Sequence, residues 1–237
     1  GYIEDANEDR SIKGILLDIN SPGGTVVASR QIADAVKKSE KPIVAFINEI
    51  GTSGGYWIAS ASDKIIADPL SITGSIGVIA AYLEFSELFE KYGVTYESLK
   101  SGKYKDIASP FKKLTEEERN VLQKKLDLIH ERFIEAVAEN RKLSKESVKK
   151  LATGIYFLGE EAKDLGLIDI LGSKELAINI TKELANVTEV SLVEYSKAPN
   201  IFDLISQFGA NSFYSIGRGI GSSIKEIDIS KNFEIIS

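Results

Sequence analysis

Short apolar runs of strand length alternate with stretches of helical period along the first part of the chain. GILLDIN (14–20) predicts a buried strand, followed by the turn SPGG. TVVASRQIADAVKKS (25–39) carries apolar residues at helical spacing: Val26, Ile32, Ala33 and Val36. PIVAFIN (42–48) predicts a second strand, and YWIASASD (56–63) a short, nearly all-apolar helix. KIIADP (64–69) and GVIAAYL (77–83) are further short runs, separated by LSITGS. FSELFEKYG (85–93) predicts a helix ended by Gly93, and VTYESLKSG (94–102) begins with the alternation of a strand. Strands alternating with helices imply βαβ units and right-handed crossovers.

The middle third changes character. LTEEERNVLQKKLDLIHERFIEAVAENR opens with Thr115 and Glu118 in capping-box spacing. Leu122, Leu126, Ile129, Phe133 and Val137 form an apolar stripe, so one long amphipathic helix is expected. SKESVKKLATG (144–154) predicts a shorter helix capped by Ser144, and GEEAKDLGLID (159–169) another. A turn, LGSKELAINITKELAN, and a strand, EVSLVEY, follow. The tail beyond Pro199 carries apolar clusters at Ile201, Phe202, Leu204, Ile205 and Phe208. It is too apolar for a free linker, so a packed segment or a subunit contact is expected. The expected organisation is one domain over 1–198, its nucleophile-bearing half at 1–110 and a helical and C-terminal α/β part at 111–198, with the tail at 199–237.

Composition narrows the chemistry. A net charge of −6 argues against non-specific nucleic-acid binding, which relies on a basic surface. With no cysteine there is no disulfide framework, no thiolate nucleophile and no Cys/His zinc site. No apolar run reaches the roughly 18 residues of a bilayer span, and no signal peptide is visible. The chain starts at Gly1 and contains no methionine, so it reads as a trimmed soluble piece whose upstream segment could have carried an anchor.

The informative stretch is GTSGGYWIAS (51–60), which sets Ser53 in the G-x-S-x-G spacing of a nucleophile elbow. A Gly-Thr-Ser-Gly-Gly run is also an ordinary loop sequence. Here it follows an expected strand and precedes an expected helix, whose first amides can stabilise a negative oxygen. A serine nucleophile needs a base. The single histidine, His130, lies on the long helix beside the apolar stripe and reads as a structural residue. The remaining base at neutral pH is an amine, as in serine–lysine variants of the triad. A free lysine titrates near ~10.4, so such a base must be desolvated in an apolar pocket. SLKSGKYKDIASPF differs from the other lysine-bearing stretches: it follows an expected strand, contains a glycine turn, and flanks its lysines with Tyr104 and Ile107.

Taken together, NSPGG (20–24), TSGGYWIASASDKIIADP (52–69), ITGSIGV (72–78) and SGKYKDIASPF (101–111) resemble the signal peptide peptidase A family. The resemblance runs from about residue 3 to about 195, with the motifs in order. It implies an α/β Clp-protease/crotonase-like fold of repeated ββα units, with a long amphipathic helix and a smaller C-terminal α/β segment. It also implies a serine–lysine peptidase without a cofactor. By motif, Ser53 matches the nucleophile and Lys105 the general base, with Lys103 the nearest competitor. Ser75 matches the serine that orients the lysine amine, and the amides of Gly24 and Gly54 the oxyanion hole. The resemblance further implies short apolar peptides such as cleaved signal peptides as substrates, and a homo-oligomer; because the chain carries a single motif set, the sequence leaves open that Ser53 and Lys105 come from neighbouring subunits. A place at the cell membrane follows too, held by an upstream anchor with the catalytic domain on the extracytoplasmic face. Two other readings remain open at this point. A crotonase-like acyl-CoA enzyme would keep the glycines without needing Ser53 and Lys105 together, and an inactive scaffold would only bind peptides.

Overall fold

The computed structural model describes residues 1–195. The chain divides into two units, Gly1–Val190 and Ser191–Ser237. The second is described only over 191–195, so the tail expected from 199 lies outside the described residues.

Three strand runs form where expected, as β1 (Ile15–Ser21), β2 (Ile43–Thr52) and β3 (Lys64–Ala67). β2 is the spine. β1 lies parallel along it, with Ile15 opposite Ile43 and Ile19 opposite Ile47. On its other edge β2 forks. Its first half pairs in parallel with β3, and its second half with β4 (Ile72–Gly74), placing Thr52 opposite Gly74. β5 (Tyr156–Leu158) adds antiparallel to β4, and β6 (Ile170–Leu171) adds parallel to β3. The C-terminal part thus completes the same six-stranded sheet as the first part of the chain.

Helices cover both faces, which is why Val44, Ala45, Phe46 and Ile47 are all buried along β2. On one face pack α2 (Val26–Lys37), α3 (Gly54–Ser60) and the C-terminal half of α5 (Glu116–Arg141). On the other, Ala177 and Ile180 of α8 (Lys174–Leu184) meet Val44, Phe46 and Ile66. The long helix begins with the expected box: Thr115 accepts from the Glu118 amide, and Glu118 accepts from the Thr115 amide.

Several elements depart from expectation. The run at 77–83 forms no strand; the strand is β4 instead, because Ile50–Thr52 of β2 offer it a free edge. Gly74 (φ 77°) and Ser75 (φ 49°) then turn the chain away. The alternating stretch 94–102 has no ladder partner and is exposed, as is 189–190, and 191–195 is likewise without a strand. The stretch read as a turn holds α8, whose Ser173 cap accepts from the Leu176 amide. On α2 the buried face is Ser29, Ala33 and Val36, while Ile32 is exposed. On α5 the stripe is buried only at its C-terminal end, from Phe133.

Arg141, at the end of α5, closes the architecture. It forms a two-pronged pair with Asp169, both contacts at 3.0 Å. The same carboxylate accepts from the Ile65 amide at 2.7 Å, at the start of β3. Burial pushes the Asp169 carboxyl up, but the Arg141 hydrogen bonds and charge outweigh it and hold the net value low. A carboxylate held low contributes stability above its unfolded pKa of ~3.9 and loses it as pH falls through the folded value. Asp169→Ala is expected to cost roughly 2–4 kcal/mol at neutral pH, since it leaves a nearly buried guanidinium without its carboxylate. Urea melts from pH 7 down to about 2 should show that the variant lacks the part of the acid-side decline that the wild type owes to this carboxylate.

Candidate active site

Ser53 sits between β2 and α3 with φ 51° and ψ −121°, a conformation L residues rarely adopt. Two neighbours hold it there. Its amide donates to the Gly74 carbonyl at 2.8 Å, and its carbonyl accepts from the Trp57 amide at 2.9 Å. α3 is itself clamped from behind. Trp57 stacks on Phe133 of α5 at 4.5 Å, and the Tyr56 hydroxyl donates to the Leu167 carbonyl at 2.8 Å. Burial pushes the Tyr56 phenol far up, so it remains a neutral donor. The Ser53 side chain is half-buried and has no hydrogen-bond partner among the described residues. This is the strand–turn–helix geometry of a presented nucleophile.

The loop after β1 approaches this turn closely. Ser21 shapes it: its hydroxyl accepts from the Gly23 amide at 3.2 Å. Gly23 has φ 119°. A Cβ there would lie 2.9 Å from Ser53 Cβ, 3.0 Å from the Gly54 nitrogen and 3.2 Å from Ser53 Oγ. Glycine therefore keeps open the space between the hydroxyl and the first amide of α3. The Gly24 nitrogen lies 3.2 Å from where a Gly54 Cβ would be. Neither amide is used in a hydrogen bond among the described residues, Gly54 being at the helix position where donors lack intrahelical partners. Two free amides beside one serine can hold an oxyanion.

Ser75 follows directly on Gly74, so the β2–β4 pairing carries it next to Ser53. Its hydroxyl donates to the Gly154 carbonyl at 3.1 Å, leaving its lone pairs to accept from an amine.

Lys105 lies on an exposed stretch between α4 (Ser86–Lys91) and α5. No hydrogen bond links it to Ser53 within the protomer. The lysines around it are all engaged. Lys100 pairs with Asp106 at 2.6 Å, and Lys112 bridges Asp106 at 3.2 Å and Glu118 at 2.5 Å. Lys113 pairs with Glu87. Lys103 pairs with Glu117 at 2.6 Å, and that hydrogen bond holds its ammonium above the usual lysine range. Hydrogen bonds from Lys100 and Lys112 hold the carboxyls of Asp106 and Glu118 low, respectively. Lys105 alone of these lysines has no carboxylate partner. Sequence reasoning left Lys103 in competition; it carries an ion pair to Glu117, a contact across 14 positions, which Lys105 does not. His130 Nε2 is buried without a partner on α5 and takes no part in this constellation.

Over residues 35–188 the chain matches the family described as Peptidase family S49. It is 38% identical over 240 residues to a protein of Methanocaldococcus jannaschii named as a protease, covering 99% of this chain and 76% of that one. It is 41% identical over 191 residues to an Enterococcus faecium protein named as a signal peptide peptidase, covering 79% of this chain and 56% of that one. Protease 4 of Haemophilus influenzae is 36% identical over 192 residues, covering 80% of this chain and 31% of its own length. The chain therefore spans less than two thirds of the second and third of these relatives.

Gly23→Ala fills the space beside Ser53 Oγ. It is expected to lower kcat by about 100-fold or more, as loss of oxyanion stabilisation does. Peptide hydrolysis measured beside a thermal melt checks this: alanine at φ 119° also strains the loop, so kcat must fall by more than the folded fraction does.

Proposed function

The chain belongs to peptidase family S49 and is a serine peptidase with an α/β Clp-protease/crotonase-like fold; from that premise we propose that it cleaves peptides with a Ser53–Lys105 dyad completed between neighbouring subunits. What carries the proposal is the space beside Ser53, kept free by Gly23 and faced by two unused amides. An acyl-CoA enzyme would need no serine at that turn.

Ser53 Oγ attacks the peptide carbonyl while the neutral Lys105 amine takes its proton. The amides of Gly24 and Gly54 receive the charge developing on the carbonyl oxygen. Lys105 returns the proton to the leaving amine, and the acyl-enzyme forms. Water, deprotonated by the same amine, releases the product and restores Ser53. Ser75, accepting from the amine, aims its lone pair at the hydroxyl.

An amine acts as a base only where water is excluded. In one protomer Lys105 is exposed, so something must cover it. The same excursion exposes Ile79 at 89% and Leu99 at 94%, and it carries a cleft of about 350 Å³ lined by Phe89, Tyr96 and Phe111. Apolar surface on this scale supports an interface with a second copy, which would also dry the lysine. Lys103, tied to Glu117, is the poorer base.

The substrates are short, extended, apolar peptides, including cleaved signal peptides, at the extracytoplasmic membrane surface. Support comes from the family and from the name of the Enterococcus faecium relative. Among the described residues no helix is long and apolar enough to cross a membrane.

Ser53→Ala and Lys105→Ala should each abolish cleavage of a fluorogenic apolar peptide with unchanged melting, while Lys103→Ala keeps most activity. The two inactive proteins, mixed by unfolding and refolding together, should regain about a quarter of wild-type activity per site if each site draws on two subunits. Full activity in Lys105→Ala refutes the base. No recovery on mixing refutes the sharing.

A further inference from the structure

We propose that Ser29 is a positioning residue that sets the spacing of the Gly24 and Gly54 amides, an inference that rests on the oxyanion site proposed for them. Ser29 lies near the start of α2 and is 5% exposed. A Cβ added to Gly54 would collide with its hydroxyl oxygen, so Ser29 Oγ rests directly against the Gly54 Cα. That same Cβ position is 3.2 Å from the Gly24 nitrogen. For Gly24, Ser29 Oγ is the one atom found within 4 Å of a would-be Cβ, at 3.9 Å. One side chain therefore touches the approach between the two glycines whose amides must act together.

The hydroxyl has no hydrogen-bond partner among the described residues. A helical serine often bonds the carbonyl one turn back, but here the Thr25 carbonyl accepts from the Ser29 amide, at 3.0 Å, and not from the hydroxyl. Ser29 Oγ is not among the fully buried polar atoms without a partner, so it keeps some contact with water. No intramolecular hydrogen bond accounts for serine here. The contact with Gly54 does: Ser29 Oγ fills the approach between α3 and the loop after β1, and so sets how near the two donors come.

Oxyanion donors act in the transition state, so their misplacement lowers kcat and spares KM. Ser29→Ala is expected to lower kcat about 10-fold, consistent with the sensitivity of catalysis to sub-ångström placement. It should weaken a peptide aldehyde, which forms a tetrahedral adduct, by the same factor. KM should stay within about 2-fold and the melting temperature should hold. Ser29→Gly, which also removes the Cβ, should lower kcat further. If both variants keep kcat and aldehyde affinity within about 2-fold of wild type, the role of Ser29 is refuted. So it is if kcat falls only in proportion to protein lost to unfolding. A fluorophosphonate label on the wild type separates the two levels. Labelling at Ser53 with an unaffected Ser29→Ala overturns this inference alone. No labelling at Ser53 overturns the dyad and the Ser29 role with it.

Discussion

Everything at the site depends on one backbone conformation, that of Ser53 at φ 51°. A non-glycine residue held there costs on the order of 1–3 kcal/mol, so its surroundings must over-determine it. They do so from two directions. The fork in the sheet brings β4 alongside the end of β2, and the Gly74 carbonyl takes the Ser53 amide. The start of α3 then takes the Ser53 carbonyl. With both peptide groups committed, the side chain is the one part of Ser53 left to face outward.

The helix behind the serine is held by large aromatic side chains that are buried among the described residues. Tyr56 reaches the Leu167 carbonyl and Trp57 stacks on Phe133, so α3 is held from behind. Arg141 and Asp169 tie the end of α5 to β3. The C-terminal part thus acts as a buttress for the Ser53 turn, although it supplies none of the proposed reacting groups.

The stretch carrying Lys105 is built on a different principle. It is exposed and is organised by charge: Lys100, Asp106, Lys112 and Glu118 form a chain of ion pairs ending in the capping box of α5. The carboxylates of Asp106 and Glu118 are largely covered, and the lysines paired with them are partly so; together the pairs fix where the residue beside Asp106 emerges. The apolar side chains around them remain uncovered in one protomer. The Ser53 turn and its two unused amides are therefore complete within the chain, whereas the proposed base awaits a dry environment.

Much of this was legible from local pattern. Parallel strands buried on both faces announce themselves as apolar runs, and β1, β2 and β3 lie where those runs are. The box at Thr115 and Glu118 is a contact between residues three apart, so spacing alone marks the start of α5. The elbow at Ser53 was readable because its glycines are demanded by sterics. Other features depend on partners distant along the chain. A three-residue strand such as β4 exists only because β2 offers it an edge, and the stretch 94–102 fails to become one for want of any edge. Periodicity on α2 pointed to Ile32, while the fold buried Ser29, since the close approach of α3 at Gly54 admits only a small side chain. Local sequence therefore determined which segments are strands, helices and turns wherever the deciding contact spans a few residues. Tertiary structure decided which lysine is left unpaired, which serine lies against Gly54 and where the sheet forks, because those depend on atoms that only the folded chain brings within a few ångströms of each other.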